Sequence, residues 1–244
     1  MRHYLPLLIF FSLFINCKKS ECPLPKCNND YNLKGGVHEV EENVSFPAQD
    51  AYPISYKTKI LYTFNQNDYT LSVEEMDREG HFYKKEFQYD NDNIIKEITE
   101  TAKGKVVSKS SIVKNKNNRI EKITVDKENE NSETIILYDH SPCLSNRGEE
   151  FKNGKLVQSW EIEYKNDLAA VITTTQAGIK KQAFYTYNSN NDIIEVVEKD
   201  MDGKTLNIQT SVYKYDPKNN WIEKNIYDSN KTLIMSITRK IKYW

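Results

Sequence analysis

Eight times along this chain an apolar residue is followed, two positions later, by a second bulky side chain, and in the first seven cases a polar turn comes next. The pairs are Tyr62/Phe64, Phe87/Tyr89, Ile112/Lys114, Ile136/Tyr138, Ile162/Tyr164, Tyr185/Tyr187, Tyr213/Tyr215 and Ile241/Tyr243, spaced 23 to 28 residues apart. The first member is always apolar, and the second is Tyr or Phe in every pair except Ile112/Lys114. A period of this length marks a supersecondary unit repeated along the chain, each copy burying its apolar face against the next.

Each pair but the last is followed by turn chemistry such as Asn65-Gln66-Asn67-Asp68, Asn188-Ser189-Asn190-Asn191 or Asp216-Pro217-Lys218-Asn219-Asn220. Asn and Asp bond their own main chain and tolerate left-handed backbone angles. A short strand-like run comes next, for example Ile94-Ile95-Lys96-Glu97-Ile98, and then a second turn, often with glycine, as in Lys103-Gly104, Asn153-Gly154 and Asp202-Gly203. Every repeat therefore supplies two strands and two tight turns. Short connections force antiparallel neighbours, because a parallel return needs a crossover of a dozen or more residues. Sixteen tyrosines, with Ile, Val and Thr around them, suit strands. The reading is an all-β antiparallel meander of about 14 strands built from seven repeats of about 25 residues. So many strands curl, so a curved open sheet or an incompletely closed barrel is expected.

The cadence of Tyr89-Asp90, Tyr138-Asp139 and Tyr215-Asp216, with the later Asp202-Gly203-Lys204, resembles the YD repeats of RHS and teneurin proteins over about residues 56–244. The resemblance implies a spiralling sheet without intrinsic catalysis. Seven repeats are too few to form the closed cargo shell of the large members.

The N-terminus reads as an address. Met1-Arg2-His3 is a basic head, and Tyr4 to Ile15 is almost wholly apolar. Twelve residues rise only about 18 Å as a helix, short of a bilayer's hydrocarbon core, so the run reads as a secretory signal over residues 1–16. Phe14-Ile15-Asn16-Cys17 resembles the lipobox of bacterial lipoproteins, which implies lipid attachment at Cys17. The family prefers Leu and a small residue where Phe14 and Asn16 stand. Lys18, in place of an inner-membrane retention Asp, implies the outer membrane, facing either the periplasm or the outside. Residues 17–55, with Pro23, Pro25, Gly35, Gly36, Pro47 and Pro53, read as a flexible tether, and residues 56–244 as the repeat domain.

With Cys17 lipidated, Cys22, Cys27 and Cys143 remain. An oxidising envelope permits a small loop disulfide between Cys22 and Cys27. Cys-x4-Cys without a second pair or nearby histidines is weak metal chemistry, so no metal is expected. One repeat is irregular: Asp139-His140-Ser141-Pro142-Cys143-Leu144-Ser145-Asn146-Arg147-Gly148 replaces a plain Asn turn.

Motifs for catalysis are missing. There is no Gly-x-Ser-x-Gly, no Gly-rich phosphate loop and no zinc-helix motif. Asp139-His140-Ser141 sets triad residue types side by side, but adjacency is not triad geometry. Acidic pairs such as Glu149-Glu150 leave a glycan-acting enzyme as the remote option. No catalytic residue and no cofactor is assigned. A formal net charge of −1 with interleaved signs gives no electrostatic reason for nucleic acid as partner. The expected function is a non-catalytic binding or scaffold module, held to the membrane by its lipid, for a protein or glycan partner. Trp160, Trp221, Tyr187 and Tyr215 are the candidate contact aromatics. The alternative is a structural or protective, toxin-neutralising envelope protein.

Overall fold

The computed structural model describes residues 33–48, 55–67, 69–76, 80, 82–91, 95–114, 120–127, 130–137 and 145–244. The strands are β1 (Val37–Phe46), β2 (Tyr56–Phe64), β3 (Thr70–Met76) and β4 (Phe82–Tyr89). Next come β5 (Ile95–Ala102), β6 (Lys105–Lys114), β7 (Ile120–Lys127) and β8 (Glu130–Leu137). The second half holds β9 (Arg147–Lys152), β10 (Lys155–Lys165), β11 (Leu168–Gln176) and β12 (Ile179–Tyr187). The last four are β13 (Ile193–Asp200), β14 (Thr205–Tyr215), β15 (Trp221–Tyr227) and β16 (Leu233–Tyr243). Each strand pairs antiparallel with its sequence neighbours, and β16 pairs with β1 to close a barrel.

The antiparallel meander of short hairpins is as the repeat predicts. The strand count and the openness are corrected: sixteen strands form a closed wall, not about fourteen in an open or incompletely closed sheet. The spiralling sheet implied by the YD resemblance gives way to this closed ring. Residues 37–46, read as tether, are the closing strand β1. Their glycine and proline neighbours hid them, and so did Glu42, a charge on the inward face.

Local chemistry sets the two kinds of turn. Lys103-Gly104, Asn153-Gly154, Asn166-Asp167 and Ala177-Gly178 hold two successive positive φ angles, the geometry whose twist matches a two-residue hairpin. The longer loops share one design. Asn188 Oδ1 accepts from the backbone N–H of Asn190 at 2.8 Å and of Asp192 at 3.0 Å. Asp216 Oδ1 accepts likewise from Lys218 and Asn220, both at 2.9 Å. Asn65, Asp200 and Asp228 repeat the pattern.

The second member of nearly every described pair marks a register shift, at Phe64, Tyr89, Lys114, Tyr164, Tyr187 and Tyr215. Each shift places one extra residue in the following strand. A bulge increases local twist and bends the strand, so the repeat that writes the pairs also curves the sheet. The seam carries the same irregularity: Tyr243 faces Val37, Lys242 faces Glu39, and His38 is the extra residue. Val37 thus stands to Tyr243 as Trp221 stands to Tyr215 and Ile193 to Tyr187. β1 takes the place of the next repeat's first strand. Every strand from β1 to β16 has a partner on both sides, so residues 33–244 form a self-contained unit with no open edge.

Register and burial separate an inner from an outer face. Inward residues of the pairs build three apolar clusters: Val37, Val40 and Phe64 with Leu33; Tyr69 and Ile95 with Phe87 and Tyr89; Ile162, Ala169 and Ile172 with Tyr164 and Tyr185. All lie toward the end bearing the Asx turns at 65–69, 188–192 and 216–220. The outer face carries ion pairs between neighbouring strands: Lys59–Glu41 at 2.7 Å, Lys242–Glu39 at 2.6 Å, Lys122–Glu133 at 2.6 Å and Lys214–Glu223 at 2.7 Å.

Candidate functional site

The tyrosines of the pairs brace the wall. Tyr89 Oη donates to the Thr70 carbonyl at 2.7 Å, Tyr164 to Ser145 at 2.7 Å, Tyr187 to Ala169 at 2.9 Å and Tyr213 to Ile193 at 2.7 Å. Each hydroxyl satisfies a carbonyl at or near the start of the preceding hairpin's second strand, where the bulge disturbs the ladder. Tyr215 donates to Asp192 Oδ2 at 2.7 Å and accepts from Asn188 Nδ2 at 2.7 Å; Tyr243 bonds Asp216 and accepts from Asn220 Nδ2. Burial pushes the Tyr185 phenol up to about 12, helped by the Glu198 charge, and burial raises Tyr187 and Tyr213 as well. Held neutral, these phenols act as hydrogen-bond fixtures.

A polar cluster sits on the inner face at the seam. Arg239 and Glu42 face each other in register, their Nε and Oε1 2.7 Å apart, with side chains only 5% and 8% exposed. Tyr62 Oη donates to Glu42 Oε2 at 3.3 Å, and the Arg239 guanidinium stacks 3.3 Å from the Trp221 ring centroid. Lys224 reaches over the Tyr213 ring at 5.5 Å. Burial pushes its ammonium down to about 8, with Arg239 repelling it, against the pull of Glu42 and Asp192.

The inner face of β9 to β12 presents a graded surface. At the Asx-turn end lie Ile162, Ala169, Ile172, Tyr164 and Tyr185. One level up, Trp160 stands opposite Gly148 on one side and Thr174 on the other, with Lys181 beyond Thr174. The next level holds Glu150, Gln158 and Gln176 in register. Gly148 is required here: a Cβ at that position would lie 2.2 Å from the Trp160 ring. Apolar floor, indole and then amide and carboxylate groups thus follow one another toward the end with the glycine turns. On this wall the aliphatic floor and Gln158 are buried, Trp160 and Glu150 are half-buried, and Gln176 and Lys181 are exposed.

Of the aromatics singled out from sequence, Trp160 lies on this inner wall, half-buried. Trp221 is buried under Arg239 at the seam, and the Tyr187 and Tyr215 hydroxyls are engaged in bracing. The structure does not gather the four into one site. Cys17, Cys22, Cys27 and Cys143 lie outside the described residues, as does the irregular segment up to Leu144; Ser145, buried, leads into β9. The seam cluster and the row of Glu150, Gln158 and Gln176 escaped sequence reading, because charged and amide residues give no signal until register puts them inside.

No family model and no curated protein sequence matches the chain. Among solved structures, a porin-like protein from Bacteroides uniformis superposes with a TM-score of 0.61 at 10% identity, covering 84% of this chain and 96% of that one. This likeness is one of fold. A porin-like protein from Bacteroides vulgatus (8% identity, 86% of this chain and 99% of that one) gives a TM-score of 0.36. An outer membrane lipoprotein-sorting protein domain from Vibrio parahaemolyticus (10% identity, 84% and 86%) gives 0.31. Neither of these two superposes closely enough to bear on the fold.

Proposed function

We propose that this chain is a non-catalytic binding module of the cell envelope, lipid-tethered at Cys17 to the outer membrane, which takes a glycan or polypeptide against its inner wall. The observation that carries the reading is the graded surface of β9 to β12. An indole face with amide, carboxylate and ammonium groups above it combines stacking area with convergent polar groups, the composition of a small-ligand site.

The porin-like name of the Bacteroides uniformis protein fits an envelope setting, but the outer wall here argues against a pore through a bilayer. Lipid-facing strands carry an apolar band, and a lysine at mid-membrane depth costs about 2–4 kcal/mol. Lys59, Lys84, Lys122 and Lys214, with their acidic partners, occupy that face in this chain. A barrel so dressed stands in water beside the membrane.

A glycan and peptide binding screen on residues 33–244 tests the proposal. Saturable binding that falls with Gln176→Ala or Lys181→Ala, and is untouched by Lys214→Ala on the outer wall, is the expected result. Binding indifferent to both inner-wall changes would remove the inner wall as the site. For the tether, Cys17→Ser in the full chain should abolish labelling with a fatty-acid probe.

A further inference from the structure

The two ends of the barrel are dressed differently. At one end, five-residue Asx loops of Asn and Asp stand above the strands, and exposed apolar residues such as Leu71 and Ile222 lie behind them. At the other end, the two-residue turns at 103–104, 153–154 and 177–178 and the Asx loop at 200–204 leave apolar side chains at or beside the tips, and a further Asx loop spans 228–232. Val106 and Val107 follow Lys103-Gly104, Leu156 follows Asn153-Gly154, and Ile179 follows Ala177-Gly178; Met201 and Leu206 flank the Asp202-Gly203 turn. All six are exposed, Val106 at 56%, Leu156 at 55% and Ile179 at 63%.

Lysines accompany them. Lys105, Lys155, Lys180 and Lys204 are exposed and make no ion pair among the described residues. The tip between β7 and β8, with Glu128 and Glu130 in sequence, separates the β5–β6 tip from the others, and Asp200 and Asp202 stand beside Met201 and Lys204, so the continuous apolar and basic patch is centred on the β9–β10 and β11–β12 tips. We propose that this glycine-turn mouth docks on the surface of an anionic lipid bilayer, its apolar tips entering the headgroup–acyl boundary and its lysines meeting lipid phosphates.

Three physical points favour that occupant. Alternate hairpin tips lie about 10 Å apart along a rim, and a plane is the surface that several tips on the end of a cylinder touch together. Apolar insertion beside lysine is the pairing that holds peripheral proteins to anionic lipid. A second copy, mouth to mouth, would set lysine against lysine, and like charges oppose that contact. The inference goes beyond the inner-wall reading and holds whatever ligand that wall takes.

Flotation of residues 33–244 with vesicles tests it, since this unit lacks Cys17 and the apolar leader. The expected result is binding to phosphatidylglycerol–phosphatidylcholine vesicles and little to phosphatidylcholine alone, weakened by salt. The double variant Leu156→Asn/Ile179→Asn, which keeps every charge, should bind at least about tenfold more weakly, while Val212→Asn, within a strand toward the opposite end, should bind as the parent does. Circular dichroism checks that each variant folds. Absence of binding to either vesicle, equal binding to both, or equal loss in Val212→Asn overturns the proposal. So does a dimer in sedimentation that the double variant abolishes without any vesicle binding in the parent.

Discussion

The backbone N–H of Trp244, the last residue, donates to the carbonyl of Gly36 at 3.1 Å. In the neighbouring hairpin Asp216 N–H donates to the Asn220 carbonyl at 2.8 Å, closing the loop between Tyr215 and Trp221. The two bonds are equivalent. Trp244 follows Tyr243 as Asp216 follows Tyr215, and Gly36 precedes Val37 as Asn220 precedes Trp221. The exit from β16 and the entry to β1 therefore meet as a hairpin loop lacking only its middle, positions 217–219 of the complete loop.

A circular permutant follows directly. Joining Trp244 to Gly36 through Pro-Lys-Asn and opening the chain between Ala177 and Gly178 should yield the same barrel, because surface termini brought together tolerate relinking. Matching β-rich circular dichroism and a cooperative melt are the expected outcome. An aggregated or molten product would show that the seam is not a repeat-like joint.

Asn220 has a second task at the seam. Its side chain accepts from Lys34 N–H at 2.6 Å and donates to the Lys34 carbonyl at 2.8 Å and to Tyr243 Oη at 2.7 Å. Fully buried, it holds the approach to β1 as a backbone strand would. Asn220→Asp keeps the shape but loses both donated bonds and brings a carboxylate beside a carbonyl. A loss of about 1–3 kcal/mol in urea unfolding is expected, with faster amide exchange near residues 34–37.

The Glu42–Arg239 pair closes the barrel at its middle. Removing one partner leaves a buried charge, so Arg239→Met should cost about 3–5 kcal/mol. The double variant Glu42→Gln/Arg239→Met should recover much of that loss. Urea denaturation of the single and double variants measures the coupling, and strict additivity would refute it.

Gly148 and Trp160 are expected to couple too. Gly148→Ala drives a methyl into the indole and should destabilise by about 1–3 kcal/mol. In a Trp160→Leu background the same change should cost less, since the ring is gone; thermal melts of the four proteins decide this.

Alkali should act in two opposite phases. The Lys224 ammonium is held down at about 8 in the fold against an ordinary 10.5. Between those values the unfolded chain keeps a proton that the folded chain has released, so stability rises with pH. Tyr185 and Tyr243 are pushed up to about 12. Above the ordinary tyrosine value near 10 the unfolded chain loses protons that the fold retains, so stability falls. Melting temperatures should climb from pH 8, then drop beyond 10. Lys224→Met should be more stable than the parent at pH 7 and lose the climb alone.

Hairpins were legible from the residues because their causes are local. Asn-Gly and Lys-Gly dipeptides choose the turn, alternating Ile, Val and Tyr choose the strand, and the apolar pairs spaced by two recur often enough to set the period. The wall patch around Trp160 was half legible: its indole stood out, whereas Gln158 and Glu150 became neighbours only through register. β1 was missed. Its run Val37-His38-Glu39-Val40-Glu41-Glu42 has no anchor pair of its own and holds a charge where the others hold an aliphatic residue.

The amino-acid order alone determined an antiparallel meander, the places where it turns and the rhythm of its tyrosines, since turn conformation and side-chain alternation are decided within a few residues. Closure, the recruitment of residues 37–46 and the facing of each strand came from tertiary structure. Glu42 is tolerable inside only because Arg239, 197 positions away, arrives opposite it, and Gly36 finishes a loop only because Trp244 reaches it. Such complementarity has no local signature, because each half is unfavourable until the other is in place.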